Sequence, residues 1–103
     1  MLQITQRRQE GTLIAVYTGE LDHHAARAAI EQTEDLLVLF PCEKLVLDLS
    51  ELTFMDSSGI GMMIGRYKRM RSRGGTMGVM AGDARIERMM ELSGLYQIVD
   101  KLA

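Results

Sequence analysis

Apolar residues alternate with polar ones at Leu2 and Ile4, with Gln6 next in phase. They recur at Leu13, Ile14, Val16 and Tyr17 beyond the turn-like Gln9-Glu10-Gly11. This period-2 pattern predicts two strands joined as a hairpin. Gly19 reads as the break that ends the second strand, and Asp22 stands where a helix N-cap belongs. From there Ala25, Ala26, Ala29, Ile30, Thr33, Leu36 and Leu37 follow at helical spacing, and the helix has to stop before Pro41. Lys44 to Leu49 contains the unbroken apolar run Leu45-Val46-Leu47. Such a run suits a strand covered on both faces, so it is the predicted centre of the sheet.

Leu52 and Phe54 continue toward the core before the chain reaches Asp56-Ser57-Ser58-Gly59, after which Ile60, Met63, Ile64, Tyr67 and Met70 share one helical face. The spacing predicts a second helix over 57–72, ended by Gly74-Gly75. Met77, Val79 and Met80 make a further strand. Gly82-Asp83 opens a third helix carrying Ile86, Met89, Met90 and Leu92, and Gly94 closes it. Leu95 to Val99 suits either an edge strand or the start of a terminal helix. The order β-β-α-β-α-β-α implies a single α/β domain over 1–103. Its mixed, mostly parallel sheet of four or five strands is packed by helices and begins with an N-terminal β-hairpin.

Composition narrows the function classes. At 103 residues and 47% hydrophobic the chain has apolar surface for one core and little room for a second domain. A net charge of −2 exerts no global pull on nucleic acid or an anionic membrane. Arg66, Lys68, Arg69, Arg71 and Arg73 crowd the second half of the 57–72 helix, where cations offset the helix dipole, and no aromatics interleave them. They read as a solvated face. Cys42 is the one cysteine, which excludes an internal disulfide and a zinc site built on several thiolates and fits a reducing compartment. The N-terminus lacks a signal-peptide pattern and no apolar run has the length of a membrane span, so the expected location is the cytoplasm, without membrane insertion.

Candidate chemistry concentrates between Asp48 and Gly61, where the predicted loop leaves the central strand and enters a helix. Ligands and reactions in open α/β sheets gather at this end. Ser57 and Ser58 bring hydroxyls to the unpaired N–H groups of a helix start, while Gly59 and Gly61 leave the first turn bare for an approaching surface. Asp56 or Ser57 can equally be an ordinary cap, and capping does not preclude accepting a phosphate. Gly59, Gly61 and Gly65 form G-x-G-x-x-x-G, which is neither the dinucleotide spacing nor a P-loop. His23 and His24 follow Asp22, but adjacent helical residues do not share a face and no second ligand cluster exists. Neither serine sits in the G-x-S-x-G elbow of hydrolases. Of the nine methionines, most fall at core spacing; Met55 and Met62 are the two that could face a partner.

Gly19-Glu20-Leu21-Asp22-His23-His24, Phe54-Met55-Asp56-Ser57-Ser58-Gly59-Ile60-Gly61, Gly65-Arg66-Tyr67-Lys68, Gly74-Gly75 and Ser93-Gly94-Leu95 stand in an order and spacing that resembles the sporulation anti-sigma-factor antagonists of the STAS domain family. The resemblance implies a partner-switching protein without catalytic activity or a cofactor of its own. Unphosphorylated, it would bind a dimeric, ATP-binding anti-sigma factor and release the sigma factor. That same partner would be a serine kinase holding ATP and Mg, and a metal-dependent serine phosphatase would reverse its action. The matching positions make Ser57 the phosphoacceptor, flanked by Asp56 and Ser58, and make Asp22 the partner-contacting loop aspartate with His23 and His24 beside it. Gly59, Gly61 and Met62 complete the expected partner surface. The resemblance further implies a monomer when free. Family members continue through another C-terminal helix, whereas this sequence stops at Ala103, so the architecture after Gly94 is the least determined. The competing readings are a small-molecule or nucleotide-binding STAS-like module and, behind it, a serine hydrolase.

Overall fold

A computed structural model describes residues 1–102. Strands β1 (Gln3–Gln9) and β2 (Thr12–Leu21) are followed by α1 (His23–Leu39), β3 (Lys44–Met55), α2 (Ser57–Ser72), β4 (Thr76–Ala81) and α3 (Ala84–Leu92). A 3-10 turn (Leu95–Gln97) and the short strand β5 (Asp100–Leu102) complete it. The sheet order is β1-β2-β3-β4-β5, with β1 antiparallel to β2 and every later pair parallel. Three successive β-α-β crossovers step the same way across this sheet, and right-handed connections place their helices on one face.

The hairpin forms because its two loop residues accept the left-handed region, Glu10 at φ 46° and Gly11 at φ 81°. That is the backbone of a two-residue turn whose twist matches the strands. Pairing then sets Ile4 opposite Tyr17 and Gln6 opposite Ala15. Leu13, Ala15 and Tyr17 of β2, together with Leu45, Leu47 and Leu49 of β3, are wholly buried. They face Ala29, Thr33 and Leu37 of α1 and Ile60, Met63 and Met70 of α2. The other side of β3 is also closed, Val46 being 5% and Asp48 8% exposed, as expected for the central strand. Asp48 stays satisfied there because its Oδ1 accepts the Ser50 N–H at 3.0 Å and the Ser50 hydroxyl at 2.6 Å.

Two polar devices tie α1 to its neighbours, one to the sheet and one to α2. The buried Tyr17 hydroxyl pairs with Thr33 Oγ1, and desolvation pushes the phenol up to about 12. Glu34 of α1 forms ion pairs with Arg66 Nε at 3.0 Å and Arg69 Nε at 3.2 Å, both on α2. The basic cluster on α2 is thus partly consumed inside the molecule.

Four sequence expectations are corrected, those on Gly19, the stretch after Leu49, Leu92 and Phe54, and one left open is settled. Gly19 does not end β2, because at φ 106° it lets the strand pass through a register shift to Leu21. A side chain there would strike the Met1 carbonyl. The stretch expected as a loop after Leu49 is strand, since β3 stays paired with β2 through two such shifts as far as Met55. Leu92 points outward, 74% exposed, and Phe54, expected to continue toward the core with Leu52, is 48% exposed. The segment after Gly94, open between two fates, becomes the 3-10 turn and the edge strand β5, which makes the sheet five-stranded. Glu87 anchors this end, accepting the Tyr96 hydroxyl at 2.9 Å and pairing with Lys101 at 2.9 Å.

Candidate functional site

Parallel β2 and β3 end side by side, Leu21 opposite Met55, so the N-termini of α1 and α2 emerge together at the carboxyl edge of the sheet. Each helix starts on an aspartate in extended backbone, where the carboxylate can reach the unpaired N–H groups of the first turn. Asp22 Oδ1 accepts the Ala25 N–H at 2.9 Å. Asp56 Oδ1 accepts the Ser58 N–H at 2.9 Å. The first cap falls where the residue pattern puts it, and of the two candidates for the second the cap is Asp56, Ser57 being the first residue of the helix.

Asp56 does more than cap its own helix. Its Oδ2 accepts the backbone N–H of His23 at 2.9 Å, and its own N–H reaches the Leu21 carbonyl at 3.4 Å. One side chain therefore ties the Asp22-His23-His24 turn to the Ser57 turn across 33 positions of sequence. Partial desolvation pushes this carboxyl up, but the N–H groups of Ser58 and His23, the Ser58 hydroxyl and the His23 imidazole outweigh it and hold it below the usual aspartate range. It is a fixed negative charge beside Ser57.

Ser57 is the first residue of α2 and is exposed, with Ser58 half-buried behind it. Gly61 is exposed, and apart from its own stretch of helix backbone nothing lies within 4 Å of where its Cβ would be. The first turn of α2 is bare at that position, as expected. Gly59 has a different purpose from the one the sequence suggests. It is buried, and an added Cβ would lie against Met55 Cγ, 2.6 Å from Met55 Sδ and 3.2 Å from Leu21 Cδ2. Its missing side chain lets α2 settle onto the strand ends. Met62 is likewise withdrawn from the expected partner surface, being 2% exposed in the core, and Met55 is 3% exposed. Helical rotation turns position 62 inward with Met63 and away from Gly61.

His23 and His24 are both exposed, their rings in an edge-on arrangement 5.6 Å apart. Among the described residues, neither side chain bonds a serine hydroxyl, and no three His, Cys, Asp or Glu residues gather as metal ligands would. Half-buried Cys42 lies elsewhere, its thiol pushed up chiefly by desolvation. Two features escaped sequence reasoning. One is the reach of Asp56 to His23, a long-range contact with no local signature. The other is a cavity between Phe54, Met55 and α3, which exists only once β3 runs on to Met55.

The chain matches the STAS domain over residues 3–103. It is 40% identical over 98 residues to an anti-sigma F factor antagonist of Paenibacillus polymyxa, covering 95% of this chain and 84% of the relative. It superposes on the anti-sigma factor antagonist SpoIIAA in its unphosphorylated form with a TM-score of 0.81 at 22% identity, over 100% of this chain and 89% of the other. Against the Bacillus cell fate determinant SpoIIAA in the phosphorylated form the TM-score is 0.72, at 22% identity over 100% of this chain and 92% of the other. The sheet order and paired helix starts are thus those of a known fold, and the chain belongs to the STAS domain family, as a relative of its anti-sigma factor antagonists.

Proposed function

We propose that this protein is an anti-sigma factor antagonist switched by phosphorylation of Ser57. Unphosphorylated, it binds an anti-sigma factor and frees the sigma factor; phosphorylated, it lets go. The partner is the ATP- and Mg-binding serine kinase that modifies Ser57, a metal-dependent phosphatase reverses the step, and the exchange takes place in the cytoplasm. The observation that carries this reading is the exposed Ser57 at the head of α2, locked through Asp56 to the second helix start beside it. The identity of 40% to a curated antagonist of the sigma F system supports it.

The geometry also supports a particular way of switching. Phosphate adds a charge of about −1.5 to −2 at pH 7, which a helix N-terminus tolerates through its dipole and free N–H groups. The fold therefore has no reason to melt. Outside the helix the same charge adds to Asp56, already held ionised, and to Asp22 at the neighbouring cap. A partner that desolvates this edge in the unphosphorylated state meets bulk and like charge in the phosphorylated one.

Mass spectrometry tests the reading. Incubation with the Paenibacillus polymyxa anti-sigma F factor and ATP·Mg should add one phosphoryl group to the wild type and none to Ser57→Ala. Thermal melts of the two forms should coincide within a few degrees while binding is lost. Acylation by a serine-directed hydrolase probe, or saturable heat with ATP or GTP in the absence of partner, would instead favour one of the competing readings.

A further inference from the structure

One residue of chain separates Ser57 from the wall of a cavity of about 210 Å³. Thr53, Phe54 and Met55 of β3 and Ile86 and Met89 of α3 line it, with Asp83 and Arg85 from the start of α3. Met55 and Ile86 are 3% and 2% exposed, whereas Phe54 is 48% exposed to solvent. An apolar hollow thus opens on the surface that carries Ser57, with an aromatic ring at its mouth.

We propose that this cavity receives one large apolar side chain of the anti-sigma factor, adjacent to an acidic residue of that partner which pairs with Arg85. The inference rests on the functional reading above and extends its contact surface from Ser57 to α3. Three observations select this occupant. The first is continuity: Met55 lines the cavity and is also the side chain against which Gly59 packs, so the hollow and the first turn of α2 share a wall. The exposed Phe54 stands three residues of chain before Ser57, within reach of a body that covers it. The second is size and chemistry. A dry apolar cavity of about 150 Å³ already accepts a benzene-sized guest, so this one suits a single aromatic or long aliphatic side chain. Small-molecule sites need several convergent polar groups. Here Asp83 is committed to capping α3, its Oδ1 accepting the N–H of Arg85 at 2.8 Å and of Ile86 at 3.2 Å, and the Thr53 hydroxyl donates to the Gly19 carbonyl at 3.1 Å. The third is charge. The Arg85 side chain is 84% exposed and, among the described residues, its ion-pair partner is Asp83 at 3.3 Å. The rest of its guanidinium faces solvent and can take an acidic group of the partner.

The test uses the whole chain and the Paenibacillus polymyxa anti-sigma F factor with ADP·Mg, followed by titration calorimetry. Arg85→Glu should weaken binding by about tenfold and Met89→Lys by more, the range of interface hot spots. Leu92→Ala, further along α3, should have no effect. Arg85→Glu alters a solvated side chain and keeps the fold, so it decides the matter even if Met89→Lys melts early. Wild-type binding that is abolished by Ser57→Glu but unchanged by both cavity variants overturns the cavity assignment and leaves the functional reading standing. No binding by the wild type overturns both. Self-association in sedimentation, or saturable GTP binding, that Met89→Lys removes while anti-sigma binding persists would give the cavity to a second copy or to a nucleotide and likewise overturn the assignment.

Discussion

Gly59 and Gly61 lie two residues apart in one helix, and the structure gives alanine opposite consequences at the two sites. In a helix interior, replacing Gly by Ala contributes about 0.5–1 kcal/mol through backbone entropy. Gly61 collects that gain in full, since it is exposed and nothing beyond its own stretch of helix backbone lies within 4 Å of an added Cβ. Its melting temperature should rise by about 2–8 °C for a domain of this size. At Gly59 the same gain is opposed by the Cβ pressed against Met55 Cγ and 2.6 Å from its Sδ, with Leu21 Cδ2 behind at 3.2 Å. Met55 is 3% exposed and has little room to yield. Overpacking of a close-fitting core costs about 1–3 kcal/mol, so Gly59→Ala should be net destabilising by about 1 kcal/mol and melt about 4–8 °C lower. Differential scanning calorimetry on both variants, with Met55→Ala and the Met55→Ala/Gly59→Ala double variant, closes the argument. The double variant should be less destabilised than the sum of its parts. If Gly59→Ala melts as high as Gly61→Ala, the packing role assigned to Gly59 is wrong. The functional reading adds a second expectation. Gly61→Ala, though more stable, should bind the anti-sigma factor more weakly, because its methyl occupies the surface where the partner approaches.

Four further outcomes follow from the polar contacts. Tyr17→Phe leaves Thr33 buried without its partner and should cost about 1–3 kcal/mol in urea denaturation, with Tyr17→Phe/Thr33→Val recovering part of the loss. The Tyr17 phenol is raised from 10.0 to about 12. Unfolding therefore releases its proton in that window, and stability falls as pH rises through it. Alkaline melts of Tyr17→Phe should show a shallower decline than the wild type. Glu34→Ala removes the carboxylate facing Arg66, whose side chain is 13% exposed, and Arg69. The loss should be about 1–3 kcal/mol, readable as a lower urea midpoint at unchanged m-value; an unchanged midpoint would mean that the pair holds nothing between α1 and α2. On the acid side, Asp83 is held low by the Arg85 guanidinium and by the N–H groups of Ile86 and Arg85, and Asp56 by the contacts described above. Their stabilisation is present above the unfolded aspartate pKa, about 3.9, and is lost as pH falls through the depressed native values. Asp56→Asn and Asp83→Asn should each flatten the acid limb of the melting profile.

Much of the fold was legible because it is written in local terms. The caps Asp22, Asp56 and Asp83 and the helix over 57–72 depend on neighbours within a turn or two, and all stand where the residue pattern places them. So does the hairpin turn at Glu10-Gly11. The run Leu45-Val46-Leu47 announced a strand closed on both faces, and Val46 and Asp48 bear that out. Legibility failed where a distant partner decides. Gly19 suggested a strand end, yet a neighbouring β3 able to absorb two register shifts kept both strands going to Leu21 and Met55. The few residues after Gly94 carried too little periodicity to choose a state; the open edge of β4 chose for them.

The candidate site divides along the same line. By itself the sequence determined that a serine pair sits at a helix start behind an aspartate, because capping is a contact between residues two or three apart. Only the tertiary structure decided what that arrangement is for. Parallel pairing of β2 with β3 brings two helix starts together, and from there Asp56 reaches His23. The same convergence turns Gly59 and Met62 inward as packing elements and leaves Gly61 outside. Those outcomes depend on which faces meet after the chain has closed over distances that no local spacing encodes.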